Sequence, residues 1–298
     1  MFQPDVRMGV ALMILFCATA PMIDVFAKLA TTELSVGQVT LARFTVQAGL
    51  MLPLLLCLRV SWRIANGQAG WLALRALVAL IFTATFVAAV SVMPIADALA
   101  ILFVSPFILM MLGRYWFKEE VGTGRVVLSL VGFGGALLVI QPSLIRLGWV
   151  ALLPLATALF FAIYLLITRR LSTQMHPVAM QAYTAVVAVL FLGPWVLLHS
   201  GEVIAWVQPP NVSYWWFLAG VGIAASASHL AMTYALKFAP SATLAPLQYL
   251  EIPAAVMAGF WIFGDFPTVM TWLGIITIIG SGLGVIYREQ RQWRRRSL

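Results

Sequence analysis

Five ionisable side chains lie inside long apolar stretches of this sequence: Asp24, Arg43, Asp97, His229 and Glu251. A charge inside hydrocarbon is costly, so each of these residues is a candidate for binding a polar ligand or a proton. Asp24 and Arg43 fall at similar depths in the first two apolar stretches. They predict either a structural ion pair or two charges that bind the amine and the carboxylate of a substrate.

The two other acidic residues each allow two interpretations. Asp97 follows Pro94 closely, so it either favours a helix N-terminus or contributes to a binding site. Glu251 lies near the middle of a predicted span, two residues before Pro253. A carboxyl group at that depth is costly to ionise without a partner, which favours a site for proton coupling.

Polar residues also follow a helical spacing in the second half of the chain. Ser226, His229 and Thr233 are spaced i, i+3, i+7, which predicts a stripe that faces the interior of a helix bundle. His229 and Gln248 lie at similar distances from the connection between their two spans, at a depth of roughly 10 Å. We expect them to face each other, either as substrate ligands or as a hydrogen bond that fastens two helices.

The elements that must position these residues are membrane spans. Of the 298 residues, 62% are hydrophobic and 9% are charged, and the mean hydropathy is +0.99, which excludes an ordinary soluble domain. Apolar blocks of about 20 residues match roughly 30 Å of hydrocarbon. The sequence predicts an all-α integral membrane protein with ten spans, near residues 8–28, 36–58, 71–93, 95–117, 122–141, 148–168, 177–199, 212–236, 241–264 and 268–287.

Basic residues give these spans an orientation. With the N-terminus inside, all of the 18 basic residues except Lys28, Arg43 and Arg146 fall on the cytoplasmic side, Arg75 among them. The positive-inside rule therefore predicts that both termini are cytoplasmic. Residues 288–298 are predicted to form a basic cytoplasmic tail at the lipid head groups, and no nucleic-acid partner is expected.

The two halves of the chain resemble each other. An offset of 146 residues aligns Pro94 with Pro240 and Glu119 with Asp265, and it also superposes glycines and helix ends. The predicted repeats cover about 8–141 and 148–287 within a single transmembrane domain. Because each half has an odd number of spans, the halves are inverted with respect to each other, as in many secondary carriers. Gly134 with Ala136, and Gly280 with Gly284, put small residues on the fifth and tenth spans and predict close helix packing.

The same residues carry a family resemblance. The second half resembles an EamA-type protein of the drug/metabolite transporter superfamily in TYALKFAPSA (Thr233–Ala242), Pro253, Gly264-Asp265, Leu273-Gly274 and Gly280–Gly284. The first half, from Ala96 to Ile140, is similar to the other copy. The resemblance implies two inverted five-helix repeats, a bacterial-type inner membrane and export of small metabolites. Amino-acid exporters of the YddG type are the closest likeness, which implies amino acids, including aromatic ones, as substrates.

The resemblance also places a group of aromatic residues around a central cavity. These residues are Phe82, Phe86, Phe103, Tyr164, Tyr234 and Tyr249. Their rings predict either a site for an aromatic side chain or helix packing. Alternating access would rock the halves about this cavity, with bends at four prolines: Pro94, Pro106, Pro240 and Pro253.

Several other classes of function compete with an amino-acid exporter. An enzyme is not expected, because the only histidines, His176, His199 and His229, are far apart and form no metal-binding pair. No cofactor, metal site or ATP-binding motif is predicted. Export of lipophilic cations or drugs, which would depend on Glu251 or Asp97, stays an alternative. Larger metabolites such as nucleotide conjugates and a passive channel are the others.

Overall fold

The computed structural model describes residues 6–61, 64, 67–105, 107–108, 111–112, 123–172, 175–199, 201–238, 247 and 249–296. Within these ranges ten α-helices have defined bounds, as predicted. They are α1 (Val6–Ala30), α2 (Val36–Cys57), α3 (Ala69–Val90), α4 (Ile95–Leu102), α5 (Thr123–Leu147), α6 (Leu153–Ser172), α7 (Pro177–Leu198), α8 (Val212–Phe238), α9 (Glu251–Phe263) and α10 (Val269–Arg296).

Most of these helices are long enough to cross a bilayer. Six apolar spans meet the length and composition of a membrane crossing: Arg7–Ala30, Val36–Cys57, Ala69–Val90, Leu144–Thr168, Pro177–Leu198 and Val212–Ala235. The exceptions include α4, with eight residues, and α9, with 13 residues. At 1.5 Å per residue, α9 spans only about 20 Å. The fourth and ninth spans are therefore the interrupted ones.

The helices of the second half follow those of the first at the offset seen in the sequence. The first residue of α5, Thr123, corresponds to the first residue of α10, Val269. The turn after α4 begins at Phe103, and the turn before α9 begins at its equivalent, Tyr249. The repeat therefore includes the helix interruptions as well as the helices.

Helix packing follows an approximate two-fold relation between the halves. α2 packs on α7, α4 on α9 and α5 on α10, and in each pair the two helices are equivalent. The pair α1–α8 is equivalent to α6–α3, yet α1–α8 makes the more extensive contact. The two halves thus share one topology and differ in how tightly they pack. The odd number of helices in each half inverts one half with respect to the other.

Glycines allow α5 and α10 to approach closely, at one predicted position and at one that was not predicted. A Cβ atom at the predicted Gly284 would lie 3.2 Å from Leu128 Cδ2, and one at Gly135 would lie 3.0 Å from the carbonyl oxygen of Gly274. Gly134 and Gly280 have no atom within 4 Å of the corresponding position, so the prediction is wrong for these two glycines. The error is one of rotation, because adjacent residues of a helix point about 100° apart.

We predict that Gly135→Leu destabilises the protein by roughly 1–3 kcal/mol, because the added side chain must displace backbone of α10. The measurement is thermal unfolding of the detergent-purified protein, followed by loss of the monodisperse peak in size-exclusion chromatography. Gly134→Leu, one position away and pointing into open space, is the matched control. Equal unfolding temperatures for the two variants would contradict this assignment of the interface.

Candidate functional site

Opposite charges lie close together at the centre of the bundle. Asp24 of α1 and Arg43 of α2 are buried, with 7% and 5% of their surfaces exposed. The two charges interact through space, although the described part of the chain shows no ion pair within 4.0 Å between them. Glu251, the first residue of α9, also lies near Asp24. Two carboxyl groups and one guanidinium thus face the same region.

Aromatic rings surround the guanidinium group of Arg43. Its central carbon lies 4.5 Å from the ring centroid of Phe44 and 5.9 Å from that of Phe82. Phe82 packs edge-on against Phe161 and Tyr164, with centroids 5.4 Å and 5.1 Å away. Edge-to-face packing is a favoured arrangement of aromatic pairs. We call Phe82, Phe161 and Tyr164 the aromatic cluster; Phe161 was not predicted from the sequence.

Arg75 holds the aromatic cluster in place, a role that was not predicted. The sequence placed it only among the basic residues of the cytoplasmic side, and in the structure it is buried, with 1% of its surface exposed. Its guanidinium group donates hydrogen bonds to the hydroxyl of Tyr164 at 2.5 Å, to Thr168 Oγ1 at 2.9 Å, to Met180 O at 3.2 Å and to Thr184 Oγ1. These neutral oxygens satisfy the buried cation. The spacing of polar residues on α6 and α7 was the feature of the sequence that could have indicated a buried polar partner such as Arg75.

A pair of glutamines joins α2 to α7 beside this cluster. The Nε2 group of Gln47 donates to the backbone oxygen of Gln181 at 3.2 Å and to its side-chain oxygen at 3.0 Å. Four buried polar atoms near the centre have no hydrogen-bond partner among the described residues: Arg43 Nη1, Gln47 Oε1, Thr83 Oγ1 and His229 Nδ1. Buried polar atoms are almost always paired, so these atoms mark a candidate binding surface.

The predicted polar stripe of α8 is directed mainly at its own backbone. Ser226 Oγ donates to Gly222 O, and Thr233 Oγ1 donates to His229 O at 2.6 Å. The ring of His229 lies 6.5 Å from that of Phe16. Thr19 and Ser228, bonded at 2.9 Å between their hydroxyl oxygens, fasten α1 to α8 instead. Gln248, the predicted partner of His229, lies outside the described residues.

The two helix interruptions meet near the two-fold axis. The rings of Phe103 and Tyr249, which the repeat makes equivalent, lie 5.4 Å apart at an interplanar angle of 31°. Both rings are buried in the largest apolar cluster of the bundle, against which the half-buried ring of Phe86 also packs. These three predicted residues therefore form a group apart from the aromatic cluster at Arg43.

Ionic contacts lie at the end of the bundle that carries residues 31–35, which we call the 31–35 end. Lys28 Nζ donates to Asp265 Oδ2 at 2.6 Å, and this contact joins the two halves. Asp97, in the first turn of α4, lies 4.0 Å from Arg146 Nη2 and interacts with Thr271 of α10. The predicted candidate Asp97 is therefore part of a charge network at this end, near the N-terminus of its helix.

A loop also covers the 31–35 end. Residues 201–207 attach to the start of α2 through three hydrogen bonds: Ser35 Oγ to Ala205 O at 2.7 Å, Gly37 N to Val203 O at 3.0 Å, and Val207 N to Gln38 Oε1 at 2.9 Å. A Cβ atom at Gly37 would lie 2.8 Å from Ile204 O, so only glycine admits this close approach. The large apolar cluster lies directly beneath the loop and includes Leu34, Val90 and Met93.

Apolar packing is divided at the opposite end. There the described residues form separate buried clusters, one between α1 and α8 around Phe16 and Met232, and one among α2, α3, α6 and α7 around Leu72 and Met180. Pro94 precedes α4, and Pro253 occupies the first turn of α9, next to the interruption at residues 249–250. Pro106 and Pro240 lie outside the described residues, so their role as bends stays a prediction.

This arrangement can bind a polar aromatic molecule. A guanidinium group, aromatic rings, unpaired donors and acceptors, and two carboxyl groups face one region between the halves. Within the described residues no three His, Cys, Asp or Glu side chains form a group that could hold a metal ion. The site is therefore a candidate for reversible binding.

Comparison with known proteins agrees with this description. The EamA-like transporter family matches the chain twice, over residues 7–141 and 148–287. A solved crystal structure with 16% sequence identity covers 96% of this chain and 98% of its own, with a TM-score of 0.62, which supports the fold.

Curated relatives transport different small molecules. A riboflavin transporter of Vibrio cholerae is 29% identical over 86% of this chain and 85% of its own length. An S-adenosylmethionine uptake transporter of Rickettsia conorii is 23% identical over 97% of this chain and 95% of its own. The pseudopaline exporter CntI of Pseudomonas aeruginosa is 23% identical over 92% and 94%. These names do not support the specific likeness to YddG-type amino-acid exporters. The chain belongs to the EamA-like transporter family and is a multi-pass, non-enzymatic membrane protein that acts as a secondary transporter of small metabolites.

Proposed function

We propose that this protein transports a planar, polar heteroaromatic metabolite of the flavin class, with riboflavin as the first compound to test. The observation that carries the proposal is the guanidinium group of Arg43 against the ring of Phe82, within an aromatic cluster that Arg75 fixes. Such rings bind a conjugated ring system by stacking, and the guanidinium adds a cation–π contact. The riboflavin transporters among the relatives support the same class of substrate.

Amino acids are the second candidate substrate. Asp24 and Arg43 are not directly paired, which leaves a carboxyl group and a cation for the two charges of a zwitterion. An aromatic amino acid would also contact Phe82. Lipophilic cations, larger conjugates and channel-like conduction remain alternatives that the same transport assay distinguishes.

The proposed mechanism is alternating access between the two inverted halves. We place the 31–35 end outside and both termini in the cytoplasm, as the basic residues predict. The Lys28–Asp265 ion pair, the loop 201–207 and the large apolar cluster then close the outer side. Pro94, Pro106, Pro240 and Pro253 are proposed bends, and Glu251 is the proposed site for a coupled proton.

The function is tested by flux of radiolabelled riboflavin in proteoliposomes, with and without a pH gradient and in both directions. We expect saturable, trans-stimulated flux. Phe82→Ala should weaken apparent affinity roughly tenfold or more, because one lost base-stacking contact costs about 1–3 kcal/mol. Phe191→Ala, whose ring is 56% exposed on the lipid-facing side of α7, is the matched control and should behave as wild type.

The outcomes separate the candidates. Saturable phenylalanine flux without riboflavin flux would favour the amino-acid prediction, and non-saturating conductance would favour a channel. Riboflavin flux that is insensitive to Phe82→Ala would contradict the placement of the site. Export is the direction that the resemblance predicts, whereas the relatives include both uptake transporters and an exporter, so both directions are measured.

Closure of the outer side gives a second prediction. Lys28→Gln removes a charge-assisted hydrogen bond between the halves and should raise the population open to the outside several-fold. The readout is the labelling rate of Met93→Cys, a buried position beneath the loop, by a membrane-impermeant maleimide in a variant lacking Cys17 and Cys57. Arg59→Gln, at the other end of the bundle, is the control. An unchanged labelling rate in Lys28→Gln would show that this ion pair does not hold the outer side closed.

A further inference from the structure

Three buried residues on α2 and α3, two helices that pack on each other, each carry an unpaired polar atom. Arg43, Gln47 and Thr83 are 5%, 3% and 5% exposed, and each has one polar atom without a hydrogen-bond partner among the described residues. Leaving a buried polar atom unpaired is costly. Three such atoms on two packed helices indicate a surface that pairs with a ligand.

The positions of these residues place them beside one ring-binding surface. Arg43 and Gln47 lie one turn apart on α2, so their side chains share a face of the helix. Thr83 follows Phe82 on α3, which packs against α2. The guanidinium carbon of Arg43 is 5.9 Å from the Phe82 ring centroid. A planar ring bound at Phe82 therefore has Arg43 beside it, and the other two polar residues lie one helical turn and one residue away along the same helices.

The hydrogen-bonding role of each atom follows from chemistry. The guanidinium Nη1 of Arg43 can only donate. The Nε2 group of Gln47 donates to the backbone oxygen of Gln181, and this contact fixes the amide so that its unpaired oxygen accepts. The hydroxyl of Thr83 can donate. The set thus supplies two donors and one acceptor.

We propose that Arg43, Gln47 and Thr83 bind the imide edge of the substrate's heterocycle and so determine its specificity. An imide presents a carbonyl, an N–H and a second carbonyl, which match two donors and one acceptor. The pyrimidine ring of a flavin carries this edge, whereas the side chain of an aromatic amino acid does not. The inference rests on the proposed function, because it assigns the polar contacts of the same ring.

The test is equilibrium binding to the detergent-purified full chain, measured by quenching of flavin fluorescence. Riboflavin is compared with 3-methylriboflavin, in which a methyl group replaces the imide hydrogen, and with an analogue altered at C8 on the opposite edge. We expect the 3-methyl analogue to bind at least roughly tenfold more weakly, because the methyl group leaves buried polar atoms unpaired. The C8 analogue should bind within about threefold of riboflavin, a difference of roughly 0.6 kcal/mol.

Variants locate the contact on the protein. Thr83→Val should weaken riboflavin binding roughly tenfold and have little further effect on 3-methylriboflavin, because the added methyl group meets Gln47 and already moves the neighbouring carbonyl out of reach of the Thr83 hydroxyl. Thr83→Ser keeps the hydroxyl and should retain near wild-type affinity, which separates hydrogen bonding from folding. Thr45→Val is the matched control, because Thr45 is exposed on α2 and bonds only its own helix, at Leu41 O.

The results distinguish this inference from the proposed function. If wild type binds riboflavin and 3-methylriboflavin equally, the imide contact is wrong and the flavin substrate stands. If Thr83→Val weakens the binding of both compounds by the same factor, Thr83 does not contact the imide edge. If folded wild type binds no flavin in this assay or in the flux assay, both the proposed function and the inference are wrong.

Discussion

The cost of placing charge inside an apolar bundle is the constraint on which the rest of this structure depends. Arg75 satisfies its guanidinium group with neutral oxygens from α6 and α7, and this contact also orients the ring of Tyr164. Fewer of the hydrogen-bond donors of Arg43 are used, because its guanidinium group contacts the rings of Phe44 and Phe82 and one nitrogen has no hydrogen-bond partner among the described residues. One buried cation therefore builds the aromatic cluster, and the other remains able to bind a ligand.

The two-fold repeat explains the framework but not the asymmetry of the two ends. The equivalent residues Phe103 and Tyr249 meet where both interrupted spans approach the axis. The offset aligns Lys28 with Gln174 and Asp265 with Glu119, so the sequence has no second ion pair of opposite charges at the equivalent positions. An inverted repeat can interconvert two states only if its two ends have similar stability, and this difference in charge biases that balance.

The relatives show how one framework is associated with different cargoes. Proteins named for riboflavin, S-adenosylmethionine and pseudopaline align over most of this chain at 23–29% identity. Similarity of fold therefore predicts that these proteins are transporters better than it predicts which substrate each one carries. The substrate we propose would be selected by a few side chains at the centre, among them Phe82, Gln47 and Thr83.

The sequence by itself determined the helices, the repeat and three of the buried charges, Asp24, Arg43 and Asp97. The helices could be predicted because hydropathy depends only on neighbouring residues. The repeat could be predicted because one offset aligns Pro94 with Pro240, and the same offset aligns the interruptions at Phe103 and Tyr249. Only the tertiary structure decided which side chains meet. It buried Arg75, which the sequence had placed only on the cytoplasmic side, and it assigned close packing to Gly135 instead of Gly134. Those contacts depend on the rotation of each helix about its axis, which packing against several neighbours sets and which no single helix sequence encodes.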